Sequence, residues 1–188
     1  MPYMIRLLIV VCVLAACHTV RAADNSASYH FLVRAHADLP YSDMSSDAIP
    51  FDSEQQAAFA ALTAAAHAGE QWEFGGAIVM YGNKFYYTQP ATNREPDSVE
   101  YLIGYRKGGH LVALYHTHPK QNFGEDHSAW FSGEDITAAR TLGLDSFIGV
   151  LRSHTIREFT PGDHVSMGLR EGTGEMFNYA IGRLIGEF

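Results

Sequence analysis

The hydrophobic pattern opens with a run unlike anything after it. Behind Arg6, Leu7 to Ala16 is almost unbroken apolar sequence. That length suits a signal-peptide core and is too short to cross a bilayer comfortably. Asp24 to Pro50 is polar with scattered small residues, and reads as a tether carrying one short strand at Tyr29-His30-Phe31-Leu32-Val33. The pattern then turns helical. Ala58, Phe59, Leu62 and Ala65 recur at helical spacing, Asp52 is placed as an N-cap and Gly69 as the stop, which predicts a packing helix from about Ser53 to Ala68.

Strand-like patterns follow. Trp72 to Tyr81 is aromatic and β-branched around Gly75-Gly76; Gly82-Asn83 fits a hairpin turn, with Lys84 to Thr88 returning. Ser98 to Tyr105 fits a strand or a short helix. Leu111 to His116 is a strongly apolar strand, Lys120 to Phe131 a loop, and Ser132 to Leu142 a helix. Ser146 to Leu151 and Thr155 to Phe159 form a second hairpin, and Glu175 to Phe188 a terminal helix or strand. Helix and strand patterns in this order, without repeats, predict a single α+β domain with a mixed sheet over 51–188.

Composition narrows the setting. A chain of 188 residues, 47% hydrophobic, has room for one ordinary core. The net charge of -8, with no basic cluster, argues against nucleic acid as a partner. Residues 1–22 read as a signal peptide and 23–50 as the tether. Leu14-Ala15-Ala16-Cys17 resembles a lipobox, in which Cys17 is acylated and anchors the protein to a membrane; Val20-Arg21-Ala22 offers instead a soluble product starting near Ala23. The lipoprotein is preferred, and both outcomes export the protein to the periplasm or an outer-membrane anchor. Cys12 and Cys17 both fall in this segment, which removes thiol catalysis and Cys-ligated zinc from the mature domain.

Three segments carry candidate chemistry. In Tyr115-His116-Thr117-His118-Pro119, two histidines at i and i+2 of a strand point to one side and can share an ion. With ten histidines in the chain, a chance pair is the competing explanation. Phe131-Ser132-Gly133-Glu134-Asp135-Ile136 reads as a capped helix start with a hydrophobic staple, and taken alone favours capping. Glu134 is expected to face solvent. Glu73-Phe74-Gly75-Gly76 puts a carboxylate at a strand start, with the glycines marking a bulge or a close backbone approach.

In this order the three segments resemble the JAB/MPN metalloprotease family, whose JAMM motif is an upstream Glu, then His-x-His-Pro, then Ser-x-x-Asp. The resemblance covers about residues 52–160, with Glu73, His116, His118, Ser132 and Asp135 at its five functional positions. The interval from Pro119 to Phe131 is longer than the family's usual one, and looks more like JAB-like domains of unassigned function in bacterial secreted and polymorphic-toxin proteins. Asp126 and His127 fall within it; His127 is an alternative ligand, with a solvated loop histidine preferred.

The resemblance implies a cytidine-deaminase-like mixed sheet flanked by helices, and zinc held by His116, His118 and Asp135. It implies Glu73 as general base and acid, Ser132 as oxyanion donor, and metal-assisted hydrolysis of an amide. For an exported protein the expected substrate is a peptide or isopeptide, in an exported protein or a peptidoglycan stem, with Phe123, Trp130 and Phe131 either bordering the cleft or covering core. The alternatives are an inactive JAB-like binding module of the envelope or of a secretion or toxin system, and a structural lipoprotein with an incidental His pair.

Overall fold

The computed structural model describes residues 29–31, 40–44, 49–96, 98–120, 129–169 and 176–188. The elements are β1 (Tyr29–Phe31), β2 (Tyr41–Asp43), α1 (Glu54–Ala68), β3 (Gly75–Tyr81), β4 (Lys84–Tyr87), β5 (Leu102–Arg106), β6 (His110–His118), α2 (Gly133–Leu142), β7 (Asp145–Val150), β8 (Thr155–Phe159), β9 (Ser166–Leu169), β10 (Met176–Tyr179) and β11 (Arg183–Glu187). They build a mixed α+β domain around a curled six-stranded sheet of order β11-β8-β7-β6-β3-β4. Its neighbours are antiparallel except β6 and β7. A parallel pair needs a crossover, and α2 supplies it. Among the described residues no helix is long and apolar enough to cross a membrane.

The strands sort residues onto two faces by their period of two. Ala113, Tyr115 and Phe147 point to the face covered by α1, where they pack with Ala57, Ala58, Ala61, Leu62 and Ala65. Alanines let the helix lie close: a Cβ at Gly149 would meet Leu62 Cδ2 at 3.2 Å. Ile148 and Val150 point to the other face, against Ile136 and Ala139 of α2 with Phe131 and Phe159. His116 and His118 are the cross-strand partners of Ile148 and Val150, so they share the α2 face.

Several local expectations need correction. The cap of α1 is Ser53, whose hydroxyl accepts from the Gln56 N–H at 3.2 Å, not Asp52, which pairs with Lys84. Phe59 is 40% exposed, because the buried stripe of α1 runs through Ala57, Ala58 and Ala61 instead. β3 starts at Gly75, not Trp72. Of Ser98 to Tyr105, only the part from Leu102 is strand, the start of β5, which pairs with β1 and β2 in a small sheet. The C-terminus holds strands β10 and β11, and β9, absent from the expected elements, pairs with β10.

At the end of the sheet where β7 begins, Glu158 is fully buried, accepts from Gln55 Nε2 at 3.0 Å and pairs with Arg183. Burial, then the charges of Asp145 and Glu158, push the nearby Glu54 carboxyl up to about 7. A carboxyl raised above its unfolded value favours the native state below the unfolded pKa, and that contribution is lost as pH rises through about 7. Glu54→Gln is therefore expected to raise Tm at pH 8 and to leave it unchanged near pH 4. Solvent screening of this partly exposed group limits the gain to on the order of 1 kcal/mol, about 3 °C. Thermal melts across pH 4–8 check it.

Candidate metal centre

The crossover explains how the site assembles. A strand that enters a crossover ends where the following helix begins, so the C-terminal end of β6 and the N-terminus of α2 come to one edge of the sheet. Pro119, with no N–H for the ladder, follows directly on β6. The Leu151 N–H donates to the His118 carbonyl at 3.0 Å and holds that end against β7.

His116 and His118 are both buried, with their Nε2 atoms 3.0 Å apart. Asp135 reaches them from the first turn of α2, its Oδ1 lying 3.4 Å from His116 Nε2. The capping box aims it. The Ser132 N–H donates to Asp135 Oδ2 at 2.8 Å, while the Asp135 N–H donates to Ser132 Oγ at 3.2 Å. One carboxylate oxygen is thus tied to the cap and the other is presented to the histidines. Capping and ligation, rivals in the sequence, use different atoms of one side chain. Phe131 and Ile136 pack in one cluster on either side of the cap, as a staple requires.

The donor set fits a metal ion. His116, His118 and Asp135 are all buried, and one ligand atom from each lies within 4.8 Å of the other two. Ligands at zinc's usual bond lengths around a tetrahedron stand about 3.3 Å apart, close to the 3.0 and 3.4 Å seen here. Two imidazoles and a carboxylate are also ligand types that zinc accepts.

The electrostatics point the same way. Burial by itself would lift the Asp135 carboxyl, but the His116 charge and hydrogen bond, the His118 charge and the Ser132 amide carry it far below the ordinary carboxylate range. Burial would lower His116, yet the Asp135 charge and hydrogen bond, with Glu73, carry it above the ordinary histidine value. The site therefore holds an ionised carboxylate and attracts positive charge.

Glu73 is buried beside this group. It precedes β3 by two residues rather than starting the strand. The pairing of Gly75 with His116 continues one step further, because the Thr117 N–H donates to the Phe74 carbonyl at 2.8 Å and the Phe74 N–H to Thr117 Oγ1 at 3.0 Å. The Glu73 N–H donates to the Glu95 carbonyl at 3.0 Å. Backbone on both sides thus fixes Glu73 on the β6 flank of the site, and its charge reaches His116. The two glycines mark a close approach: a Cβ at Gly75 would lie 2.5 Å from the Tyr101 ring, and one at Gly76 2.4 Å from the Tyr115 hydroxyl.

Glu134 is exposed, as are His67, His110, His154 and His164. Trp130 stacks on Tyr179 with ring centroids 4.5 Å apart, whereas Phe131 is fully buried core. Cys17, Phe123, Asp126 and His127 lie outside the described residues. Tyr101, absent from the sequence-derived site, borders it. No local pattern could have found Tyr101, because its link to the site is the empty space over Gly75. Comparison with protein-family models, curated proteins and solved structures finds no match to this chain.

Proposed function

We propose that this chain is an exported zinc-dependent hydrolase of JAMM type, cleaving a peptide or isopeptide amide. The observation that carries the reading is the convergence of His116, His118 and Asp135, all buried and with one ligand atom of each within 4.8 Å of the others, from a motif whose parts are far apart in sequence. The mixed sheet with a helix on each face is compatible with the JAB-type fold that the motif implies. His116, His118 and Asp135 would hold a zinc ion, which would supply Lewis acidity and a water with its pKa lowered to about 7.

The chain's own residues supply the rest. Glu73 accepts the proton of the attacking water and returns it to the leaving amine. Ser132 Oγ takes up the Asp135 N–H as acceptor, and its own proton serves the carbonyl oxygen of the substrate. Glu73 is buried, where such an interaction is stronger than in water. Export fits the Leu7–Ala16 run and the lipobox at Cys17, and directs the substrate proposal to exported proteins or the peptide stems of peptidoglycan.

Purified mature protein is expected to carry about one zinc per chain by elemental analysis. Chelation should lower Tm by about 10 °C, the effect of losing about 4 kcal/mol from a ligand present at a thousandfold excess over its Kd. A protein with no metal above background and a Tm indifferent to chelator and zinc would sink the reading.

A further inference from the structure

We propose that Tyr101 is a second hydrogen-bond donor of this active site, delivering its phenolic proton to the substrate carbonyl oxygen as negative charge gathers there. The inference rests on the hydrolase reading and adds a residue that the motif does not contain.

Position comes first. The Tyr101 ring lies on β3 over Gly75, where any side chain would collide with it at 2.5 Å. Gly75 is the cross-strand partner of His116, and opposed residues project from one face, so ring and imidazole are neighbours. The phenol donates to the Gly76 carbonyl at 2.8 Å. Gly75 exchanges both of its backbone bonds with Ala91, each 2.9 Å, on the side away from β6. By the alternation of an antiparallel ladder, the Gly76 groups therefore turn inward to β6. The hydroxyl consequently sits at the β3–β6 seam, next to the position of His116.

Chemistry comes second. An ordinary tyrosine phenol titrates at about 10, so at neutral pH this hydroxyl carries its proton. It is a permanent donor. The Gly76 carbonyl also belongs to the ladder, so the proton can rotate away without leaving that oxygen unbonded. Only a proton moves, which is the preorganised kind of donor that stabilises an oxyanion.

The fold supports the assignment. Tyr101 directly precedes β5, whose Leu102 pairs with Tyr41 and donates to the Pro40 carbonyl at 3.0 Å. The small sheet thereby anchors the backbone next to Tyr101. Tyr115 is a built-in contrast: it packs on Gly76 from the α1 face and donates to the Thr88 carbonyl, so it makes the same kind of bond on the side away from the ligands.

The test uses the full zinc-loaded chain with isopeptide-linked peptides and peptidoglycan stem peptides as substrates, kcat and KM being read separately beside zinc content. In Tyr101→Phe, kcat per metal-loaded chain is expected to fall about 100-fold with KM little changed, because the donor acts only as charge gathers on the carbonyl oxygen; Tyr115→Phe should keep the wild-type kcat. If Tyr101→Phe does not fold, 3-fluorotyrosine at the same position, a stronger donor of the same shape, should raise kcat instead. Wild-type kcat in either Tyr101 variant, or an equal loss in Tyr115→Phe, overturns the assignment while leaving the hydrolase reading intact. A wild-type chain that binds no zinc or turns over neither substrate overturns both.

Discussion

Glu73→Gln is expected to keep its zinc and lose its turnover by roughly 10²–10⁴-fold, the range that positioned general bases contribute. The backbone at Glu73 is held by the Phe74–Thr117 bonds and by the Glu95 carbonyl, none of which uses its side chain. The amide is nearly isosteric with the carboxylate, so the fold should be retained. The ligands remain His116, His118 and Asp135, so metal content should stay near one per chain. What the amide cannot do is take a proton from water. Amine release from peptidoglycan stem peptides and from isopeptide-linked peptides, measured beside zinc content on the same preparation, checks both halves. Full activity in Glu73→Gln would remove this residue from the chemistry; loss of zinc would make it a ligand.

Asp135 offers the second large effect, and two substitutions separate its two roles. Asp135→Ala removes a ligand oxygen and also leaves the Ser132 N–H without its partner. Zinc content should fall to background, and the metal-free protein should lose about 1 kcal/mol through the broken cap. Asp135→Asn keeps an oxygen for the Ser132 N–H but discards the charge, so its metal-free form should be more stable than that of Asp135→Ala by the contribution of the cap, while zinc is still lost. Zinc titrations and chemical denaturation of the two variants, both without metal, check the split. Equal stability of both would mean that the cap contributes nothing at this position. Retained zinc in either would displace Asp135 from the ligand set.

Much of the architecture could be read from the chain. The α2 boundaries follow from Ser132, Asp135 and Gly143, groups whose local geometry needs no distant partner. The β3–β4 hairpin follows from Gly82, which adopts the positive φ of 60° that its turn demands. Other expectations faltered where local signals tie. Asp52 and Ser53 are both good caps, and a salt bridge of Asp52 with Lys84, remote in sequence, leaves Ser53 for the helix. Ser98 to Tyr105 is too short for its period to speak, and pairing with β1 and β2 makes a strand of its part from Leu102 on. Phe59 has helical spacing but faces out, because the sheet that α1 covers selects its alanine stripe.

The candidate centre divides in the same way. His116 and His118 on one side of a strand follow from the strand period alone, and so do the cap at Ser132 and the placing of Asp135 in a first turn. The order of Glu73, the His pair and the Ser-x-x-Asp box is also a property of the sequence, and it is what raised a metal site above a chance pair and a helix cap. Only the tertiary structure decided that these parts meet. The parallel β6–β7 pairing sends α2 back over the face bearing the histidines, which sets Asp135 Oδ1 3.4 Å from His116. It also decided that Glu73 is buried within electrostatic reach of His116 and that Tyr101 fills the space over Gly75. The reason is physical: period and capping are short-range, whereas donor spacing depends on which strands pair and which face a crossover covers.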